Sequence, residues 1–313
     1  VTTAKRKTVP RPKKKKAAPP AVPATVPPLG PAELRRLVDG SHHDPHSLLG
    51  AHPVDGGVVV RVLKPWATGA TVIVGDSRTP LALESDGVFS GLVPGEEKIP
   101  DYRLAIAYED AVVESDDPYR FLPTVSDFDQ HLIGEGRHER LWDALGAHVR
   151  TLITSGGPVA GTSFAVWAPN ARGVRVIGDF NYWDGAAHPM RGLGSSGVWE
   201  LFVPGIGDGT KYKYEVLGRD GVWRQKADPM AFETEIPPST ASIVSVSEFT
   251  WGDDEWLRKR SDSVPHREPI SVYEVHLGSW RPGLSYVELA EQLPAYVAEL
   301  GFTHVEFLPV SEH

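Results

Sequence analysis

The 313-residue chain contains no cysteine. Disulfides, thiolate metal centres and cysteine nucleophiles are thereby excluded, and the absence fits a cytoplasmic protein. No apolar run approaches the roughly 18–20 residues that span a bilayer, and the N-terminus lacks the apolar stretch of a signal peptide. Acidic residues are missing from positions 1–31, where Lys5, Arg6, Lys7, Arg11 and Lys13 to Lys16 give a local charge of +8. The whole chain carries −9, so the remainder carries −17. Nucleic acid as the main ligand would need a basic face against phosphate. An acidic body argues against that and leaves neutral polymers and small molecules open, with no membrane and no cofactor implied.

Residues 1–30 are basic and proline-rich, with almost nothing apolar larger than valine. Such a segment cannot bury enough surface to offset its ordering entropy, so a disordered tail is expected; a basic arm for an acidic surface is the alternative. The first residue is Val1 rather than methionine, which fits a chain that begins inside a longer one or an unusual start codon. A short helix is expected over 31–38, with proline at its start and Leu34, Leu37 and Val38 on one face. The following SHHDPHSLLGAHP gathers His42, His43, His46 and His52 with Asp44. That spacing matches no zinc pattern, so a packed, hydrogen-bonded loop is expected rather than a metal site.

From position 58 onward short alternating apolar runs are separated by glycine, asparagine, aspartate and proline, the pattern of half-buried antiparallel strands. The pattern also repeats. VLKPWATGATVIV at 62–74 resembles VWAPNARGVRVIG at 166–178, and GVFSGLVPG at 87–95 matches GVWELFVPG at 197–205. DYRLAIA at 101–107 follows the beat of KYKYEVL at 211–217, and DDPYRF at 116–121 mirrors ADPMAF at 227–232. Four blocks in constant order imply two copies of one sandwich of roughly 70 residues, too few for a solenoid. Only the second copy carries the turns DFNYWDG and GVW, so Trp183 and Trp223 have no counterpart in the first. Tryptophans in turn-rich polar settings need a reason other than core packing; sugar binding is one.

Between the copies, Leu141, Trp142, Leu145, Val149 and Leu152 fit an amphipathic connector helix, although Gly146 weakens it. Residues 251–269 are charged and proline-bounded, as a linker would be. After them PISVYEVHLGSW begins with a strand, Ser285 and Glu288 form a capping box, and THVEFLPV reads as a second strand. Strand, helix and strand of these lengths make a βαβ unit. Pro294 should weaken or kink its helix by about 3 kcal/mol.

Four stretches together, HDPHSLLGAHP, FAVWAPNARGVRVIGDFNYWDG, YEVHLGSWR and ELGFTHVEFLPVSEH, resemble the bacterial glycogen branching enzymes of glycoside hydrolase family 13. The resemblance covers nearly everything after the basic tail. It implies a mainly β chain: two Ig-like β-sandwiches in tandem at 31–135 and 161–250, joined by a connector at 136–160. The second is of the carbohydrate-binding module 48 type. After a linker at 251–269, residues 270–313 would open a (β/α)8 TIM barrel, of whose roughly 250 residues only about 45 are present. The family's chemistry is the retaining two-carboxylate scheme, in which an aspartate nucleophile and a glutamate acid/base cleave an α-1,4 link and transfer the segment to a 6-hydroxyl. Those carboxylates fall on later barrel strands, so no catalytic residue is expected before position 313 and the chain alone is expected to be inactive. None of Glu274, His276, Glu306, Glu312 and His313 is expected to be catalytic: Glu274 and His276 would be buried and hydrogen-bonded on the first barrel strand, and Glu312 and His313, where the second strand ends, would support the site of a full-length enzyme.

By the same resemblance, Trp183, Lys213 and Trp223 occupy the glucan-binding positions of such modules, with α-1,4-glucan or glycogen as partner. An indole lies flat on the apolar face of a glucose ring, and an ammonium donates to hydroxyls. DFNYWDG has tyrosine where a second asparagine is common. Packing of Trp183 as an interdomain wedge is the competing expectation. Rival readings of the whole are a non-catalytic glycogen-binding module, or a debranching or trehalose-releasing enzyme of the same family.

Overall fold

The structure, a computed structural model, describes residues 26–95 and 98–310. The expected tail therefore lies mostly outside the described residues. Two of its last five residues pack on the body: Val26 is buried and Leu29 rests on the core, and the Arg61 guanidinium donates to the Pro27 carbonyl. Helix α1 (Pro31–Val38) follows, with its proline in the first turn and Leu37 fully buried.

The first copy forms β1 (Gly50–Val54), β2 (Gly57–Leu63), β3 (Gly69–Val74), β4 (Ser77–Ser85), β5 (Val88–Pro94), β6 (Arg103–Ala107) and β7 (Val112–Ser115). Backbone hydrogen bonds join all seven into one antiparallel sheet, ordered β1-β2-β5-β4-β3-β6-β7, in place of two separate sheets. The reason lies in β4. Its first half pairs with β3, its second half with β5, and a bulge between Leu83 and Ser85 bends the sheet. Val58, Val60 and Phe89 on one side and Val72, Leu104 and Ile106 on the other therefore meet in one core.

Helix α2 (Asp127–Gly134), capped by a reciprocal Ser126–Asp129 box, and the single turn α3 (Leu141–Ala144) lead to the second copy. The connector helix expected within 136–160 ends there. Gly146, at φ +103°, breaks the helical course, and the next residues form strand β8 (Gly146–Thr154). They lie along the free edge of β9 (Gly157–Trp167), from Gly146 opposite Ala165 to Thr154 opposite Gly157. Apolar residues at helical spacing misled here because Trp142 and Val149 are 49% and 41% exposed and mark no core face.

The remaining strands are β10 (Gly173–Gly178), β11 (Arg191–Gly192), β12 (Val198–Pro204), β13 (Lys211–Leu217), β14 (Trp223–Lys226), β15 (Glu233–Thr234) and β16 (Ser242–Ile243). They make two facing sheets: β11-β12-β9-β8, and β10-β13-β16-β15 with β14 added to β13. Phe164, Val166 and Leu201 from the first meet Val174, Val176, Tyr212 and Tyr214 from the second. Leu37, Leu49, Leu63, Val88 and Tyr119 join that same core, and the described residues up to Ser247 form one compact unit.

The repeat is physical as well as textual. In the first copy the Tyr102 hydroxyl donates to Asp117 Oδ2 at 2.8 Å, while Asp117 Oδ1 accepts the Tyr119 amide. In the second, the Tyr212 hydroxyl donates to Asp228 Oδ2 at 2.6 Å, and Asp228 Oδ1 accepts the Met230 amide. These are corresponding positions of the matched blocks. Each copy ties its Asp-Pro turn to a buried tyrosine of the preceding block, and burial pushes both carboxyls up from the usual aspartate range.

Residues 248–313 form the other unit. Part of the expected linker is helical, α4 (Asp254–Asp262), exposed throughout. Strand β17 (Val272–Val275), the turn α5 (Leu277–Trp280), helix α6 (Tyr286–Glu299) and strand β18 (His304–Phe307) follow, with β17 and β18 parallel. Ser285 caps α6 reciprocally with Glu288, and Leu289, Leu293 and Val297 form its buried stripe. The helix runs through Pro294, because that stripe offsets the lost hydrogen bond. Among the described residues no helix is long and apolar enough to cross a membrane.

Candidate functional site

Strand alternation sorts β13 into two faces. Tyr212 and Tyr214 point into the core, so Lys213 and Glu215 lie on the outer face of the five-stranded sheet. Register carries that face to its neighbours. Ile177 and Arg175 on β10 stand opposite Lys213 and Glu215, while Gln225 and Trp223 on β14 stand opposite Glu215 and Leu217. Lys213 and Trp223 thus share one surface, about 13 Å apart along the strand direction at ~3.3 Å per residue.

Trp183 lies in a strained turn that leads onto this surface at Gly185. After β10 the chain passes through Asp179–Asn181 and then two consecutive left-handed residues, Tyr182 (φ +55°) and Trp183 (φ +60°). Each such residue costs about 1–2 kcal/mol, and buried Asn181 holds the turn against that cost. Its Oδ1 accepts the Gly178 amide at 2.9 Å, and its Nδ2 donates to the Val176 carbonyl at 2.9 Å and to His188 Nδ1 at 3.0 Å. The Trp183 indole N–H donates to Asp179 Oδ1 at 3.1 Å. The turn then folds onto the outer face at Gly185. A Cβ there would stand 2.6 Å from Glu215 Oε2 and 2.7 Å from Arg175 Nε, so only glycine fits.

The structure therefore puts Lys213, Trp223 and the Gly185 end of the Trp183 turn on one side of one sheet. It also gives each a partner. The Lys213 ammonium donates to the Thr240 hydroxyl at 2.6 Å. The Arg175 guanidinium lies 3.8 Å from the Trp223 ring centroid and covers one indole face. Arg175 is held in turn by Glu215 at 2.6 Å and donates to the Asp39 carbonyl at the end of α1. Sequence reasoning missed Arg175, Glu215 and Thr240. The alternation of VRVIG and KYKYEVL marked the first two as outward, but only the register pairs them. Two half-buried indoles and an ammonium on and beside a sheet surface offer flat apolar contact and hydrogen-bond donors, the chemistry of a neutral sugar ring.

The histidine-rich loop is structural. His52 Nε2 meets the Leu49 carbonyl at 2.9 Å, His42 Nδ1 accepts the Asp44 amide, and the His43 ring stands edge-on to Trp199 at 5.0 Å. His46 packs edge-on against Tyr119 with both ring nitrogens buried and unpartnered. Burial first, then the Arg191 charge, lowers its pKa to about 2. Among the described residues no three metal-ligating side chains converge. Glu274 and Glu306 are cross-strand neighbours on β17 and β18, and His276 Nδ1 meets the Ser279 hydroxyl. Glu312 and His313 lie outside the described residues.

Comparison with known proteins gives two domain matches. Residues 30–119 match the family model of the alpha-1,4-glucan branching enzyme GlgB N-terminal domain. Residues 144–231 match carbohydrate-binding module 48, the isoamylase N-terminal domain. The chain is 63% identical over 285 residues to the 1,4-alpha-glucan branching enzyme GlgB of Frankia casuarinae, covering 90% of this chain and 35% of that protein. It is likewise 63% identical over 284 residues to the enzyme of that name from Thermobifida fusca, covering 90% and 38%. The chain thus spans little more than a third of these relatives. A pullulanase from Anoxybacillus, complexed with maltotetraose, is 20% identical at a TM-score of 0.39 over 84% of this chain and 38% of that one, a likeness too slight to bear on fold or function.

Proposed function

We propose that this chain, whose two matched domains belong to the branching-enzyme N-terminal family and to carbohydrate-binding module 48, is the glucan-holding front of a cytoplasmic glycogen branching enzyme. Such an enzyme cleaves an α-1,4-glucan and moves the freed segment to a 6-hydroxyl. The observation that carries the binding role is the shared outer sheet face of Lys213, Trp223 and the Gly185 end of the Trp183 turn. Trp183 and the open side of Trp223 pack on sugar rings, and Lys213 donates to hydroxyls between them.

Isothermal titration with maltoheptaose tests this. Trp183→Ala is expected to weaken binding at least about tenfold, from the loss of roughly 1.4 kcal/mol of ring contact. An unchanged affinity would leave Trp183 as a packing wedge and remove it from the site.

The unit over 248–313 is the proposed opening of a (β/α)8 barrel. In support, Val272, Val305 and Phe307 expose apolar surface on a two-stranded parallel sheet, which further strands and helices of a barrel would cover. The catalytic carboxylates are then supplied by later barrel strands, and residues 1–313 alone are inactive. Apart from cuts in the N-terminal tail, limited proteolysis is expected to cut first between 248 and 271, around exposed α4, releasing a fragment that ends near Ser247. Protection of that stretch would contradict the two-unit reading.

A further inference from the structure

Between the two strand repeats lies a cavity of about 520 Å³, in the usual range for small-molecule sites. Lys64, Trp66, Tyr108 and Asp110 line it from the first repeat, and Tyr182 from the second, with Asp116 nearby on its wall. Two of these residues are placed to meet a ligand. Tyr182 is 71% exposed yet held in a left-handed conformation, its ring edge-on to Trp66 at 5.6 Å. The Lys64 ammonium makes no hydrogen bond or ion pair with any described residue. Burial lowers its pKa below the ordinary lysine value, while the Asp117 charge acts the other way. That carboxylate is already engaged by Tyr102 and by the Tyr119 amide.

A half-buried ammonium on the wall of a cavity, with its three donors not engaged by the protein, is placed to donate to oxygen atoms of a ligand. The class of ligand follows from the other walls. Asp110 is exposed, and Asp116 accepts Arg120 through Oδ1 and keeps its second oxygen open to other donors. A phosphate or other anion would be repelled by these carboxylates, whereas hydroxyls can donate to them and accept from lysine. Trp66, Tyr182 and Tyr108 add flat apolar faces. A neutral polyol with an apolar ring face satisfies all of these groups.

We propose that the cavity is a second glucan site, in which Trp66 and Tyr182 pack on sugar rings while Lys64 donates to their hydroxyls. The identity of the sugar as an α-glucan rests on the function proposed above; the chemistry of the pocket does not. The consecutive left-handed residues then have separate tasks, since Tyr182 faces this cavity while Trp183 belongs to the outer-face turn. Both repeats contribute walls, so an isolated carbohydrate-binding module would lack the site.

Titration of the 313-residue chain with maltoheptaose, with circular dichroism as a folding control, tests this. Two classes of site are expected. Lys64→Met keeps the side-chain length and removes a half-buried charge with no protein partner, so it should fold; it and Trp66→Ala should each weaken one class about tenfold or more. Trp183→Ala should weaken only the other class. Parent-like binding by Lys64→Met and Trp66→Ala would overturn the cavity site and leave the sheet-face reading intact. Losses in those two variants with none in Trp183→Ala would support the cavity and remove Trp183 from its site. Inorganic phosphate displacing maltoheptaose from the Lys64-dependent class would overturn the neutral-sugar assignment, and no binding by the parent chain would overturn both sites.

Discussion

Glu200→Ala is expected to destabilise the unit ending at Ser247 by about 3–5 kcal/mol, the usual result of breaking a buried ion pair by removing one partner. Glu200 is 0% exposed and Arg191 8%. They stand opposite each other on β12 and β11, and Arg191 Nε and Nη2 meet Glu200 Oε2 at 3.0 and 2.9 Å. Glu200 Oε1 accepts the Thr124 hydroxyl at 2.8 Å, and Arg191 Nη1 donates to the Phe121 carbonyl at 3.1 Å. The pair thus binds the segment leaving the first copy onto the sheet of the second. Without Glu200 a buried guanidinium stays charged and keeps one acceptor. The thermal midpoint should fall by roughly 10 °C, at 2–4 °C per kcal/mol for a unit of this size. Arg191→Met combined with Glu200→Met should recover much of the loss, because desolvation of the pair offsets most of its attraction. A loss below about 1 kcal/mol in Glu200→Ala would mean that water reaches the pair.

This pair shows why some of the molecule was legible in the sequence and some was not. The repeat could be read because it is a matter of order. Tyr102 and Tyr212, Asp117 and Asp228 recur at matching places, and each pair meets in the structure. The capping box at Ser285 is equally local. Partners that depend on register or on contact between the copies were invisible: Arg191 with Glu200, Arg175 with Glu215, Trp66 with Tyr182. The connector failed for a related reason. Leu141, Leu145, Val149 and Leu152 fit a helical period, but the unpaired edge of β9 offered nine residues a ladder of hydrogen bonds that no local pattern reveals. For the candidate site, the types and rough positions of Trp183, Lys213 and Trp223 came from the sequence. That Arg175 covers one face of Trp223 came only from the fold.

Acidification below pH 6.5 is expected to destabilise the same unit, and two buried histidines are the cause. Burial lowers His188 to a pKa of about 3 and His46 to about 2, from an ordinary 6.5. The bonds of Asn181 fix the His188 tautomer: with Asn181 Oδ1 on the Gly178 amide and Nδ2 on the Val176 carbonyl, only a neutral, accepting Nδ1 suits the remaining contact. The folded chain therefore resists protons that the unfolded chain takes up below pH 6.5. Stability is full above that value and falls with pH, by about 1.4 kcal/mol per pH unit for each histidine, until the folded pKa values are reached. Two such groups give roughly 3 kcal/mol per unit between about pH 6 and 3. Asp117 and Asp228 act oppositely. Their raised carboxyls bind protons more readily when folded, so they return some stability once the pH falls into their range. Urea midpoints at pH 7.5, 6 and 5 should decline steeply, and His46→Phe, which keeps the ring against Tyr119, should remove about half the slope. A flat profile, or an unchanged slope in His46→Phe, would show that these rings are not held neutral. Because Asn181 links His188 to the turn bearing Tyr182 and Trp183, glucan affinity should decline over the same pH interval in which the midpoint falls.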